Sequence, residues 1–144
     1  MSSPPSPAAE LVRRFYDELW NGWRLVVADE ILAENIAFHG TLGPQLSGRD
    51  AVKKYVTQVR AAFPDWLNQI EEMVEAGNRI ATRMTWTGTH LGQLGLIRPT
   101  GRTVTYRGAG FFTVTDGVIA RAWIVGDTAQ LWARLGLMPA EAAD

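Results

Sequence analysis

The feature that most constrains this chain is a single change of hydrophobic period. Up to Phe63 the apolar residues recur at helical spacing, and from Trp66 onward they alternate along the chain. Leu11, Val12, Phe15, Leu19 and Trp20 form one helical face, opened by Ser6-Pro7 and stopped at Asn21-Gly22. A short helix over residues 24–32, a brief strand over 35–40 and a loop over 43–48 follow. An amphipathic helix over 50–63 then ends at Pro64. Beyond it the spacing predicts strands over 66–75, 79–90, 102–115 and 118–125. Gly77-Asn78 and Asp116-Gly117 supply tight turns, and a glycine-rich connection spans 91–101. A last helix over 128–135 stops at Gly136, with Pro139 beyond.

Helices first, then a strand meander, then one terminal helix is the order of an α+β domain. The expected architecture is a curved antiparallel sheet with helices packed on its concave side, enclosing a cone-shaped cavity. One domain over residues 7–138 is expected, with flexible tails at 1–6 and 139–144.

Composition narrows the function. The 144 residues carry a formal net charge of −1, which offers no electrostatic footprint for nucleic acid or an anionic membrane. The sequence has no cysteine, so disulfides, thiolate nucleophiles and zinc–thiolate sites are excluded. No apolar run is long enough to cross a bilayer, and Arg13-Arg14 is followed by Phe-Tyr-Asp-Glu rather than the apolar stretch of an export signal. A cytoplasmic location is therefore expected. Six tryptophans and five phenylalanines point to an aromatic-lined cavity as well as a core. Leu91-Gly92-Gln93-Leu94-Gly95-Leu96 opens no helix and has no βαβ context, so a tightly held flavin or nicotinamide is not expected. No metal is expected either, because the two histidines form no His-x-His or HExxH pattern.

Phe38-His39-Gly40, Ala62-Phe63-Pro64-Asp65, Thr87-Gly88-Thr89-His90, Pro99-Thr100-Gly101 and Asp116-Gly117-Val118-Ile119 occur in that order, leading to Trp123, Asp127 and Leu135-Gly136. In order and spacing the chain resembles the SnoaL-like polyketide cyclases of the nuclear transport factor 2-like superfamily, cone-shaped α+β barrels, from about Leu11 to Leu137. The resemblance implies a metal-free enzyme of aromatic polyketide, anthracycline-type antibiotic biosynthesis, with a flat polycyclic substrate in the pocket. It also implies an acid/base aspartate at Asp127. Where ring-closing members carry a glutamine and a histidine, this chain has Gly108 and Gly110, and Ala122 replaces a further histidine. Glycine can neither take a proton from carbon nor stabilise an oxyanion, though it widens a pocket. The chain is therefore closer to the hydroxylation-associated members.

The expected chemistry is hydroxylation of a ring carbon. Asp127 takes a proton from a reduced substrate, and the carbanion or phenolate reacts with molecular oxygen. The electrons come from a separate reductase, because nothing in the sequence binds them. Aldol ring closure is the alternative, and a noncatalytic hydrophobic-ligand module is the second. Asp127 also reads as a cap for the last helix; alternation with Arg121, Trp123 and Val125 turns it toward the cavity. Trp123 reads as core or as a stacking wall. His39 and His90 read as donors to substrate or as structural histidines. Trp86, Tyr106, Gly108, Gly110 and Phe112 complete the expected substrate-binding wall. Phe111-Phe112 sends one ring to each sheet face, which favours a homodimer through the sheet.

Overall fold

A computed structural model describes residues 5–43 and 45–137. The tail residues 1–4 and 138–144 lie outside the described part. Ser6 opens the first helix, α1 (Pro7–Arg14), accepting a hydrogen bond from the Ala9 N–H at 3.1 Å. The helix does not run on as α to Trp20, as the spacing suggests. It widens into a π-helical segment, Phe15–Asn21, that turns Phe15, Tyr16, Leu19 and Trp20 inward. Helix α2 (Val27–Ile31) leads into strand β1 (Leu32–His39), and the loop expected at 43–48 contains a short strand, β2 (Gln45–Ser47). Then come α3 (Arg49–Ala62), β3 (Leu67–Ala76), β4 (Arg79–Thr89), β5 (Thr103–Thr115), β6 (Val118–Gly126) and α4 (Thr128–Arg134).

The strands form one curved, open six-stranded sheet in the order β2-β1-β6-β5-β4-β3. It is mixed rather than wholly antiparallel, because β1 runs parallel to β6 after the chain crosses through α3 and the meander. The helices pack against one side. Ile36 and Phe38 of β1, Met84 and Trp86 of β4, Tyr106 and Phe112 of β5, and Ala122 and Ile124 of β6 are buried against Phe15, Tyr16, Leu19, Val52 and Val56. Each fully buried large apolar side chain contributes about 1.5–3 kcal/mol, so this aromatic layer is the main source of stability.

The β5–β6 hairpin decides which side chains reach that layer. Asp116 and Gly117 both have positive φ (53° and 78°), the backbone of a two-residue turn that matches strand twist. The turn pairs Thr115 with Val118 and Val114 with Ile119. Extended unchanged, this register would set Trp123 opposite Gly110, on the inner face. Instead a β-bulge lies between Thr113 and Val114, with Ala120 the extra residue on β6, and the pairing becomes Thr113–Arg121, Phe111–Trp123 and Gly110–Ile124. Beyond the bulge every β6 side chain changes face.

Candidate active site

Inside the cone, between the sheet and the first helix, lies a cavity of ≈ 30 Å³ walled by Phe15, Tyr16, Trp20, Phe38, Trp66 and Trp86, with Thr41 and Asn68 as polar members. A volume of that size accommodates a water or two. Its polar groups fall into two sets. The first is closed: Asn21 Nδ2 donates to Asn68 O (2.8 Å), Asn21 Oδ1 accepts from Asn68 N–H (2.8 Å), and Trp86 Nε1–H donates to Asn68 Oδ1 (2.9 Å). The second is open: Tyr16 Oη, Trp20 Nε1 and Thr41 Oγ1 are buried without a hydrogen-bond partner among the described residues. The Thr82 hydroxyl lies beside Tyr16 but is oriented to Gly110 O at 3.5 Å. Burial pushes the Tyr16 phenol well above its usual range, against a smaller opposing effect of Thr82, so it stays a hydrogen-bond donor. Buried polar groups are ordinarily paired, and three orphans around one cavity with room for a water mark where a water or a polar ligand atom would be held.

Tyr55 stands between this cavity and a depression of ≈ 480 Å³ outside it, bordered by α3, Gly43 and the β4–β5 connection at Gln93–Gly95. Its ring lies 5.8 Å from Trp20 and 5.5 Å from Phe38, and its hydroxyl accepts from Leu42 N–H at 3.2 Å. Burial pushes the Tyr55 pKa up to about 12, with the Leu42 amide opposing.

The glycines do not widen the cavity. A Cβ at Gly108 would collide with Val125 O and meet Trp86 Cζ3, and one at Gly110 would lie 2.9 Å from Tyr16 Oη, Thr82 Oγ1 and Phe112 Cε1. Trp86 and Tyr16 occupy the space that side chains at these positions would need. Tyr106 is buried beside Trp86 (5.2 Å) and Trp66 (5.9 Å), and Phe112 packs edge-on to Phe15 and Tyr16. Trp86, Tyr106, Gly108, Gly110 and Phe112 thus all lie on the inner face.

Asp127, Trp123, His39 and His90 are placed elsewhere. Asp127 is exposed and caps α4, its Oδ1 accepting from Gln130 N–H at 3.0 Å while its own N–H donates to Arg107 O. It does not face the cavity, because the Ala120 bulge turns Arg121, Trp123, Val125 and, two residues on, Asp127 outward. Trp123 is 44% exposed on the outer face, where His39 stacks on it (5.4 Å, 13°). His90 is fully buried at the base of the β4–β5 connection. Its Nδ1 accepts from Thr100 N–H at 3.1 Å, which leaves the proton on Nε2. Phe63 packs at 5.3 Å, and the His90 backbone bonds Arg102 O and Gly101 N–H. Sequence spacing gave no sign of Tyr16, Trp20, Thr41, Asn21 or Asn68 as cavity residues. The available signal was Asn68, a lone small amide in a strand of long polar and apolar side chains.

Desolvation lowers the His90 pKa below 6.5, with the Gly92 backbone opposing. The neutral ring is the folded form. Its contribution is complete above the ordinary imidazole value and is lost as pH falls through the depressed folded value. The melting temperature is expected to drop more for the wild type than for His90→Phe between about pH 7.5 and about pH 5. Parallel curves would show that the ring protonates without cost.

Among the described residues, no three His, Cys, Asp or Glu side chains form a metal-ligating group, and no helix is long and apolar enough to cross a membrane. The cavity wall carries neutral donors and acceptors only. As packed, the cavity has room for a water or two; were its rings to part, it would offer aromatic faces and hydrogen-bond donors to an oxygen that gains negative charge. It holds no carboxylate or imidazole to take a proton from carbon.

The family model for SnoaL-like polyketide cyclases matches residues 10–135. Solved structures agree in fold. A protein from Jannaschia sp. CCS1, named a candidate SnoaL-like polyketide cyclase, superposes with a TM-score of 0.84 at 19% identity, over 96% of this chain and 100% of its own. AclR from Streptomyces galilaeus, named a candidate hydroxylase, is 25% identical with a TM-score of 0.78, over 92% and 86% of the two chains. IdmH from Streptomyces antibioticus, named a candidate polyketide cyclase, is 24% identical with a TM-score of 0.78, over 90% and 98%. No curated protein matches the sequence.

Proposed function

This chain belongs to the SnoaL-like polyketide cyclase family, and from that premise we propose that it hydroxylates a ring carbon of a polycyclic, anthracycline-type intermediate inside the cone. The observation that carries this reading is the cavity wall itself: unpaired neutral donors from Tyr16, Trp20 and Thr41, and no base. Aldol ring closure needs a protein base to ionise a C–H bond, and the two positions read as supplying that machinery are glycines backed by Trp86 and Tyr16. A reduced anthraquinone-type substrate is acidic at its own phenols and needs no such base. Its phenolate carries electron density to a ring carbon, which bonds to oxygen. The two electrons are those already in the reduced substrate, put there by a separate reductase. One oxygen atom stays on carbon, the other leaves as water with the two hydroquinone protons, and the ring returns to the quinone.

The protein's own part is to exclude water, stack the rings and donate hydrogen bonds to the substrate oxygen. Entry requires Tyr55 and Leu42 to swing aside, joining the inner cavity to the depression outside. The likeness to AclR supports the reading.

The test is oxygen consumption and product mass with a reduced anthraquinone-type substrate. Protein-dependent uptake and a product one oxygen atom heavier than the quinone form of the substrate are expected. Tyr16→Phe, which removes a buried donor, is expected to slow uptake by about 100-fold. Asp127→Asn is expected to keep both fold and rate, since asparagine caps a helix as well as aspartate does. An isomeric product without oxygen uptake would return the chain to ring closure, and binding without any product would make it a ligand carrier. Loss of uptake in Asp127→Asn alone would make that exposed carboxylate the base.

A further inference from the structure

A polycyclic molecule that sends its leading ring past Tyr55 leaves the rest of itself in front of that side chain. The space there is larger than the space behind. The inner cavity holds ≈ 30 Å³, whereas the depression outside holds ≈ 480 Å³, within the range of small-molecule sites. Residues 40–43 run from one to the other, with Gly40 and Thr41 lining the inner cavity and Leu42 and Gly43 the depression. Tyr55 is bedded on these glycines: a Cβ at Gly40 would lie 2.8 Å from its Oη, and one at Gly43 3.1 Å from its Cε1. One hydrogen bond, from Leu42 N–H, ties its hydroxyl to that loop.

The walls of the depression are neutral. Leu42, Val59 and Leu94 supply apolar surface, and Gln58 of α3 and Gln93 of the β4–β5 connection supply side-chain amides. No charged residue lines it among the described residues. Gln93 is fixed in place, its Nε2 donating to Gly95 O at 3.0 Å within a tight hairpin closed by the Leu94–Ile97 backbone bonds. That bond uses one of its two N–H donors and leaves its carbonyl free. Gln58 is exposed on the same helix as Tyr55, three residues further along.

We propose that Gln58 and Gln93 select the trailing end of the substrate: a fused-ring quinone bearing a neutral hydroxyl substituent, and not a carboxylate. This rests on the placement of a polycyclic quinone in the cone and names the substituent that the mouth of the same site accepts. A hydroxyl donates to one amide carbonyl while accepting from the other amide's N–H. A carboxylate gives up its hydration beside apolar walls, finds no cation there, and meets amide carbonyls that it cannot bond.

Tryptophan fluorescence of the full chain at about 0.15 M salt, where distant charges are screened, reads the binding of oxidised quinones, with no oxygen chemistry taking place. 2-(Hydroxymethyl)anthraquinone is expected to saturate the protein about tenfold more tightly than anthraquinone-2-carboxylate. Gln58→Ala and Gln93→Ala should each weaken the alcohol about threefold to tenfold, and the acid less. Gln58→Lys should move the ratio of the two affinities about fivefold toward the acid. Thr57→Lys, one residue round the helix and outside the lining, should leave the ratio unchanged. Thr57, Gln58 and Gln93 are all exposed, so circular dichroism should show an intact fold in each variant. Equal affinity for the two quinones, a ratio that Gln58→Lys does not move, or no saturable binding of either overturns the proposal. Absent oxygen uptake with the binding ratio and its response to Gln58→Lys intact would sink the hydroxylation reading alone and leave the selecting pair in place.

Discussion

Gly108→Gln is expected to cost about 3 kcal/mol or more and to lower the melting temperature by roughly 6–12 °C. The new Cβ would run into Val125 O, a backbone atom of the neighbouring strand, and into the ring edge of Trp86. Neither yields cheaply, because Val125 is held in the β5–β6 ladder and Trp86 is 3% exposed and bonded to Asn68. Gly110→Ala is the contrasting case. Its nearest neighbours are side-chain atoms, Tyr16 Oη, Thr82 Oγ1 and Phe112 Cε1, each 2.9 Å away, and these can give by a few tenths of an ångström. It is expected to cost about 1 kcal/mol, so thermal melts should rank the two clearly. A Gly108→Gln protein that melts like the wild type would mean that Trp86 and the β6 backbone move aside readily. The cone would then have room for the acid/base machinery that its aromatic packing now excludes.

Trp86→Ala is expected to be comparably damaging, about 3–5 kcal/mol in denaturant unfolding. The indole fills the inner face between Tyr106 and the Gly108 backbone, and its N–H is the partner of Asn68 Oδ1. Truncation leaves both a hole and a buried acceptor without a donor. Trp86→Phe separates the two effects: it keeps most of the ring and loses the hydrogen bond, at about 1–3 kcal/mol. The hole left by Trp86→Ala adjoins the cavity beside Tyr16 and Trp20, so the same variant should bind apolar aromatics more readily than the wild type does. A loss below about 1 kcal/mol would show that neighbouring rings collapse into the space.

Most of the fold was legible because its signals are local. Ser6-Pro7 opens a helix wherever the chain leads, Pro64 ends one, and alternation from Trp66 onward tracks half-buried strands. The π-helical stretch was not legible, since Phe15, Tyr16, Leu19 and Trp20 share an inward face in either winding. Nor was the three-residue strand β2, too short to show a period, or the parallel β1–β6 pairing, which depends on where the chain returns. The inner-face placement of Trp86, Tyr106, Gly108, Gly110 and Phe112 follows from alternation within single strands, and of the five only Trp86 lines the cavity. The orphaned polar atoms of Tyr16, Trp20 and Thr41 come from a helix and a loop, and only packing brings them together.

The sequence by itself determined the family, the order of the elements, the tight Asp116-Gly117 turn and an aromatic interior without cysteine. The tertiary structure alone decided which β6 residues belong to that interior. Strand side chains alternate, so one extra residue inverts everything beyond it. The bulge at Ala120 carries no glycine or other mark in Val118-Ile119-Ala120-Arg121-Ala122-Trp123. It arises where the strand must meet both β5 and the parallel strand β1. That inversion makes Asp127 an exposed helix cap and Trp123 an outer-face platform. It leaves the cone to Trp86, Tyr16 and their neighbours, because register is a property of paired strands and not of either strand alone.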